Sequence, residues 1–213
     1  MSSYQQEQLE ALKIMLEYRQ SRPEAELREL ADLTAEYLAF RKDVNTFLVK
    51  HLSGICTQKC YQSRLSACCS KEGIITFFAD WVINIACSSK VEIDTLIRVL
   101  TKPNEGFKCI YLGRDGCLWH VKPIVCEMFI CDPAREKVFH SNPAVQKKWD
   151  AFMHLKKQFT WPDRPVLFDA LETIFLDAGY QSPLMYLHNS PGLLRVKQQA
   201  KLSDTGEGAC LQD

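Results

Sequence analysis

The residues with the most chemical potential lie between Gly106 and Asp132, GFKCIYLGRDGCLWHVKPIVCEMFICD, where Cys109, Cys117, Cys126 and Cys131 share a short segment punctuated by proline and turned by glycine. A second group sits upstream in CTQKCYQSRLSACCS, with Cys56, Cys60, Cys68 and Cys69 inside fourteen residues. A thiolate is the soft ligand that zinc and iron–sulfur clusters select, and short spacings let one loop donate two ligands at little closure entropy. Cys56 and Cys60 are spaced to share one helical face. Cys109 and Cys117 flank the turn-forming Gly113-Arg114-Asp115-Gly116, and Cys126 and Cys131 follow Pro123. No spacing here is the C-x2-C pair of a zinc ribbon, and the adjacent Cys68 and Cys69 tend to point their side chains apart. Adjacent thiols suit ligands to two neighbouring ions, or a bridge plus a terminal ligand, which favours a polynuclear site over one tetrahedron.

The competing reading is packing, since cysteine is also a small buried hydrophobe. Cys87, on an apolar helix, and Cys210, in a polar tail, fit that reading; eight thiols gathered around turns and loops fit metal ligation. Eight thiolates outweigh the charge of two divalent ions, so burial calls for cations nearby. Lys59, Arg64, Lys71, Lys108, Arg114, Lys122 and Arg135 fall within or beside the two groups, either as that compensation or as solvated side chains. His51, five residues before Cys56, and His120, inside the second group, are accessory candidates, as a further ligand or as a base beside a thiolate.

Composition narrows the class. A chain of 213 residues, 46% hydrophobic and 24% charged, is long enough to bury a core. Lys plus Arg equals Asp plus Glu at 26 each, so the overall charge points to neither nucleic acid nor an anionic membrane surface. The polar start, MSSYQQEQLEALKIML, does not read as a signal peptide, and no stretch approaches the roughly 18 apolar residues of a membrane span. The expected compartment is therefore cytoplasmic, where ten cysteines favour metal or redox chemistry over a disulfide framework. Export by a route hidden in the sequence would restore disulfides as the rival.

The elements that must position these residues read as helices. Leu9, Leu12 and Leu16, with Ile14 and Met15, predict a first helix over Ser3 to about Arg19, broken at Ser21-Arg22-Pro23. From Glu24, with Pro23 in the first turn, Leu27, Leu30, Leu33 or Thr34, Leu38, Arg41, Val44 or Asn45 and Leu48 predict a second of nearly thirty residues. The pair forms an antiparallel hairpin or one kinked arm, packed on the rest of the chain or on a second copy. His51 to Ser70 reads as a ligand-bearing loop. Ile74 to Phe78 looks strand-like, but a helix after Thr76 is favoured, with Thr76 as its cap and Asp80 in its first turn. Further helices are expected over Val91–Leu100, from Pro143 to about Phe159 with Trp149, Phe152 and Met153 on its apolar side, and over Pro165–Ala178, stopped by Gly179. A last short helix follows Ser190-Pro191-Gly192, and the tail from Ser203 reads as disordered. The fold class is mainly α: a helical hairpin (1–50) and C-terminal helices (141–202) around a loop-rich, cysteine-rich metal-binding core (51–140), with a tail at 203–213.

The string CIYLGRDGCLWHVKPIVCEMFIC, with the upstream Cys68-Cys69 doublet, resembles the YkgJ-like cysteine-cluster family of zinc- or iron-chelating domains. That family pattern carries an N-terminal cysteine pair, here Cys56 and Cys60, a doublet, Cys109, then Gly116 and Cys117. It continues with an aromatic at Trp119 or His120, a basic-Pro step at Lys122 and Pro123, and Cys126, Phe129 and Cys131. GIITFFAD resembles the family's step from the doublet into a helix. The resemblance covers about Gly54 to Asp132. The first pair is one residue wider than the pattern, Lys122 stands for Arg, and Glu127 stands for the Arg after Cys126, placing a negative charge beside the thiols. The resemblance implies metal or cluster binding and supplies no substrate.

Three functions follow as expectations. Zinc held by thiolates with no open position would be structural, leaving the helices as a surface for a protein partner that the residues do not name. An iron–sulfur cluster would make an electron-transfer or redox-sensing protein, although the ferredoxin run C-x2-C-x2-C is absent. An enzyme is the least favoured, because no G-x-G-x-x-G, G-x-S-x-G, P-loop or H-E-x-x-H is present. The expectation is a metal-binding protein holding zinc or an iron-containing cluster, with no nucleic-acid partner. A homodimer through the N-terminal helices is left open.

Overall fold

In α1 (Ser3–Ser21), Gln5, Gln8, Leu12, Met15 and Tyr18 recur every three or four residues, and all five are buried. The computed structural model describes residues 3–56, 69, 75–104, 106, 108–114, 116–160 and 166–185. The predicted last helix after Ser190, the tail from Ser203, and Cys60, Cys68 and Cys210 lie outside these residues. The buried stripe of α1 packs on α3 (Phe78–Cys87) and α4 (Lys90–Leu100).

Pro23 precedes α2 (Glu24–Ile55) as its cap, with φ −59° and ψ 151°, one position earlier than the expected first turn. The helix runs 32 residues, so His51 to Ile55, expected as loop, are helical. Two contacts carry it on: the His51 ring lies 4.8 Å from that of Phe47, and Leu52 is buried. The core-facing stripe keeps Leu30, Thr34, Arg41 and Val44 of the expected rhythm and adds Tyr37, Phe40 and Phe47. Leu30, Thr34, Tyr37, Phe40, Arg41, Val44 and Phe47 are buried, whereas Leu33 is 41% exposed. Aromatic rings bury more apolar area than leucine, and they set the rotation of the helix.

The strand-like residues Ile75 to Phe77 lead directly into α3. Thr76 is not its cap: its hydroxyl accepts from Gln8 Nε2 at 2.6 Å, and Asp80 instead reaches back to accept from Phe77 N at 3.0 Å. α4 begins with a capping box in which Ser89 Oγ accepts from Glu92 N and the Glu92 carboxylate accepts from Ser89 N at 2.7 Å. A two-stranded antiparallel ribbon follows, β1 (Leu112–Gly113) against β2 (Gly116–Cys117), with Leu112 opposite Cys117. Gly116 has φ +126°, a backbone conformation that favours glycine. Two one-turn helices, α5 (Ile124–Glu127) and α6 (Asp132–Arg135), come next, and a π-helical turn over Glu136–His140 extends α6. α7 (Pro143–Lys156) opens on Asn142, whose Oδ1 accepts from Val145 N, and it buries Val145, Trp149 and Phe152 while Met153 and Leu155 are exposed. α8 (Leu167–Asp177) buries Phe168, Leu171 and Phe175.

The chain is mainly α, as the sequence predicts, but its core is aromatic and aliphatic, with the half-buried Cys109, Cys117 and Cys131 packed against its edge. Phe175 lies 4.2 Å from Tyr18 of α1 and 5.0 Å from Phe78 of α3, ring centre to ring centre. Phe168 lies 5.7 Å from Tyr37 of α2 and 5.5 Å from Phe77. One face of α8 thus joins α1, α2 and α3. No helix among the described residues is long and apolar enough to cross a membrane.

Phe175→Ala should destabilise the fold by about 3–5 kcal/mol, because the ring is fully buried between three elements. Val91→Ser, at a position 73% exposed, should change stability by less than about 0.5 kcal/mol. Urea unfolding midpoints compare the two.

Candidate thiol site

Thiols from separate stretches of the chain act on one another electrostatically: Cys69 on Cys109 and Cys117, and Cys109 and Cys117 on Cys126. The backbone N–H of Cys109 donates to the Cys69 carbonyl at 2.8 Å, which ties the upstream group to the downstream one. Cys109 precedes β1 and Cys117 ends β2, so the ribbon sets their separation. Cys126 sits on α5, directly after the rigid turn at Pro123.

Tyr111 N donates to Cys109 Sγ at 3.4 Å, and the backbone at Trp119 and at Ile75 favours the ionised forms of Cys117 and Cys126. Burial pushes the Cys109 thiol up to about 12; the Tyr111 bond opposes this, and the charges of Cys117 and Cys69 reinforce it. Cys126 is likewise pushed up to about 12, by burial and then by Asp80, with Cys109 and Cys117 adding to the rise. Burial also raises Cys117, while its Trp119 bond and Lys122 pull it down and Cys69 and Glu127 push it up. Among the described residues, no three Cys, His, Asp or Glu side chains lie close enough together to clasp one ion.

The other expected site residues lie elsewhere. Cys56 is exposed at the C-terminal end of α2. Cys131 caps α6, with its carbonyl accepting from Ala134 N and Arg135 N at 3.0 Å. His51 packs on Phe47, and its pKa is lowered by burial and by the charges of Lys50 and Lys148. His120 meets Glu92 of α4, Nδ1 to Oε1 2.9 Å, in an exposed pair. Of the expected cations, Lys122 reaches Glu127 at 3.8 Å, and Lys59, Arg64 and Lys71 lie outside the described residues.

A polar and aromatic wall that the sequence did not announce surrounds the thiols. Gln8, fully buried, donates to Thr76 and accepts from Trp81 Nε1 at 2.8 Å and from the Tyr111 hydroxyl at 3.3 Å. Trp81 and Trp119 lie 4.2 Å apart, and Tyr111 meets Trp119 edge-on at 5.4 Å. Asn84 Oδ1 accepts from Val121 N at 2.9 Å. Asp80, 3% exposed, uses both oxygens: Oδ2 takes Phe77 N and Oδ1 takes Ile124 N, each at 3.0 Å. Its carboxylate therefore fastens the start of α3 to the start of α5, the helix of Cys126. A buried Arg41 from α2 pairs with the buried Glu127, through Nε at 2.9 Å and Nη2, and also meets Tyr37 and the Lys122 carbonyl. Glu127, the departure from the family pattern, thus has its cation on another helix. The one sequence signal for this pair was an arginine standing in the apolar rhythm of α2.

Asp80→Ala should cost about 2–4 kcal/mol, since two buried N–H groups lose their acceptor. Burial raises the Asp80 pKa from 3.8 to about 6, against the two backbone bonds and the charges of Arg41 and Lys156. The folded chain therefore takes up a proton between those values. The stabilising contribution of the neutral carboxyl is complete below the lower value and is lost as pH rises through the upper one. Urea midpoints measured across that window should carry this slope in the natural chain and lack it in Asp80→Ala.

No family model matches the chain, and no curated protein or solved structure matches it either, so the chemistry of these residues alone carries a functional reading.

Proposed function

We propose that the chain binds a thiophilic metal, zinc or iron, through Cys69, Cys109, Cys117 and Cys126, whose side chains draw together around the ion as it binds, since no three of them stand within reach of one ion beforehand. One observation carries this reading. Cys109 Sγ accepts the Tyr111 N–H at 3.4 Å and the Cys109 N–H is tied to the Cys69 carbonyl at 2.8 Å, while burial and the charges of neighbouring thiols oppose the ionisation of Cys109, Cys117 and Cys126. A backbone N–H aimed at sulfur favours the thiolate, the form in which cysteine ligates a metal, and such bonds orient and tune thiolate ligands. A divalent ion supplies the positive charge that turns mutual repulsion into shared attraction, and binding releases the thiol protons. The donors are soft, which selects zinc, iron or an iron–sulfur cluster over magnesium or calcium.

The same reading keeps the YkgJ-like resemblance as a proposal, with Cys56, Cys60, Cys68 and Cys131 as its further ligand positions. The role that fits is structural or partner-binding. Aromatic walls, the Asp80 carboxylate bound to Phe77 N and Ile124 N, and the Arg41–Glu127 pair back the cysteine-bearing segment.

Zinc, iron and acid-labile sulfide should be measured per chain on protein purified without oxygen. Metal in stoichiometric amount is expected, with sulfide marking a cluster. Cys109→Ser/Cys126→Ser should lose most of it and should unfold at lower denaturant than the loaded natural chain. A natural chain carrying neither metal, or a double variant that keeps its full load, would overturn the proposal.

A further inference from the structure

Resting on that thiol-site reading, we propose that Arg41 is the positioning residue of the site, and that through it metal occupancy and the seating of α2 form one coupled equilibrium.

The geometry is a three-way tie. Arg41, 4% exposed, gives Nε to Glu127 Oε2 at 2.9 Å and Nη2 to the Lys122 carbonyl at 2.5 Å, and Nη1 meets the Tyr37 hydroxyl on its own helix. Its two partners across the gap bracket the ligand: Lys122 precedes Pro123 and α5, and Glu127 directly follows Cys126. Fixing both ends of a one-turn helix fixes where its middle side chain points. Glu127 N also donates to the Pro123 carbonyl at 3.0 Å, so the bracketed turn moves as a unit.

Charge leads to the same residue. Glu127 is 7% exposed and its field acts on Cys117, with Lys122 opposite it at 3.8 Å. Without the guanidinium, a buried carboxylate would face the thiolates with only the half-exposed Lys122 for compensation. A lysine at position 41 retains charge but lacks the planar fork that serves two acceptors at once. Because α2 supplies the arginine, metal at the thiols and docking of α2 must favour each other by the same factor.

The test uses the full chain. Zinc affinity is measured by competition with a chromophoric chelator, and the thiolate-to-cobalt absorption of the Co(II) form is recorded. The variants are Arg41→Lys, Arg41→Leu and the double variant Arg41→Leu/Glu127→Leu. The last replaces a buried ion pair by apolar residues, a change that often leaves stability intact. Zinc Kd should rise about 10–100-fold in Arg41→Leu and in the double variant, and less in Arg41→Lys, with an altered cobalt band. Hydrogen exchange around Tyr37 to Val44 should slow when the natural chain takes up zinc, and should not respond in the double variant. A folded double variant with affinity within about twofold of the natural chain, or α2 exchange indifferent to zinc in the natural chain, overturns the inference alone. A natural chain that binds neither zinc nor cobalt overturns the thiol-site reading, and this inference falls with it.

Discussion

The arrangement around the thiols depends on one buried carboxylate. Asp80 sits at the start of α3 and spends each oxygen on a backbone N–H, one from Phe77 in its own first turn and one from Ile124, 44 residues on. A neutral side chain of the same shape satisfies one such donor well and the second poorly. The apolar surroundings that make the charge expensive also make the two hydrogen bonds strong, and the charges of Arg41 and Lys156 reach it from α2 and α7. From that clasp, α3 carries Trp81 and Asn84 toward the segment that holds Cys117 and Val121, and α5 carries Cys126.

The aromatic core explains why such a clasp can be rigid. Phe168 and Phe175, one α8 face, meet rings from α1, α2 and the entry to α3. Helices locked by packed rings shift little, so a polar group left inside is costly unless it meets a partner. Gln8 does so with three partners, and Arg41 with Glu127, Tyr37 and the Lys122 carbonyl. These are long-range pairings between helices and the cysteine-bearing segment, and they give that segment a fixed backing.

Helix positions were legible in the sequence because proline and glycine mark them locally: Pro23, Asn142-Pro143 and Gly179 all sit at element ends, whereas the capping box of Ser89 with Glu92 was not read. The cysteine groups were legible for the same reason, their signal being spacing. What spacing could not reveal was rotation and partnership. The face of α2 follows from the volume of Tyr37, Phe40 and Phe47 against rings on α7 and α8, information held 100 residues away. Thr76 had the chemistry of a cap, but a buried Gln8 made a better use of its hydroxyl. Glu127 read as a foreign charge beside thiols, and Arg41 as one more position in the rhythm of α2; only the fold makes them a pair.

The bond between Gln8 and Tyr111 spans 103 positions of sequence. A chain growing from its N-terminus at ~5–20 residues per second carries Gln8 exposed for roughly 5–20 s before Tyr111 has even been added. Cys56, Cys60, Cys68 and Cys69 are all synthesised within that interval, when the aromatic wall that later shelters the site does not yet exist. The order of synthesis thus presents the first four thiols to the surrounding solution before Tyr111 and Trp119, the later half of that wall, have been added.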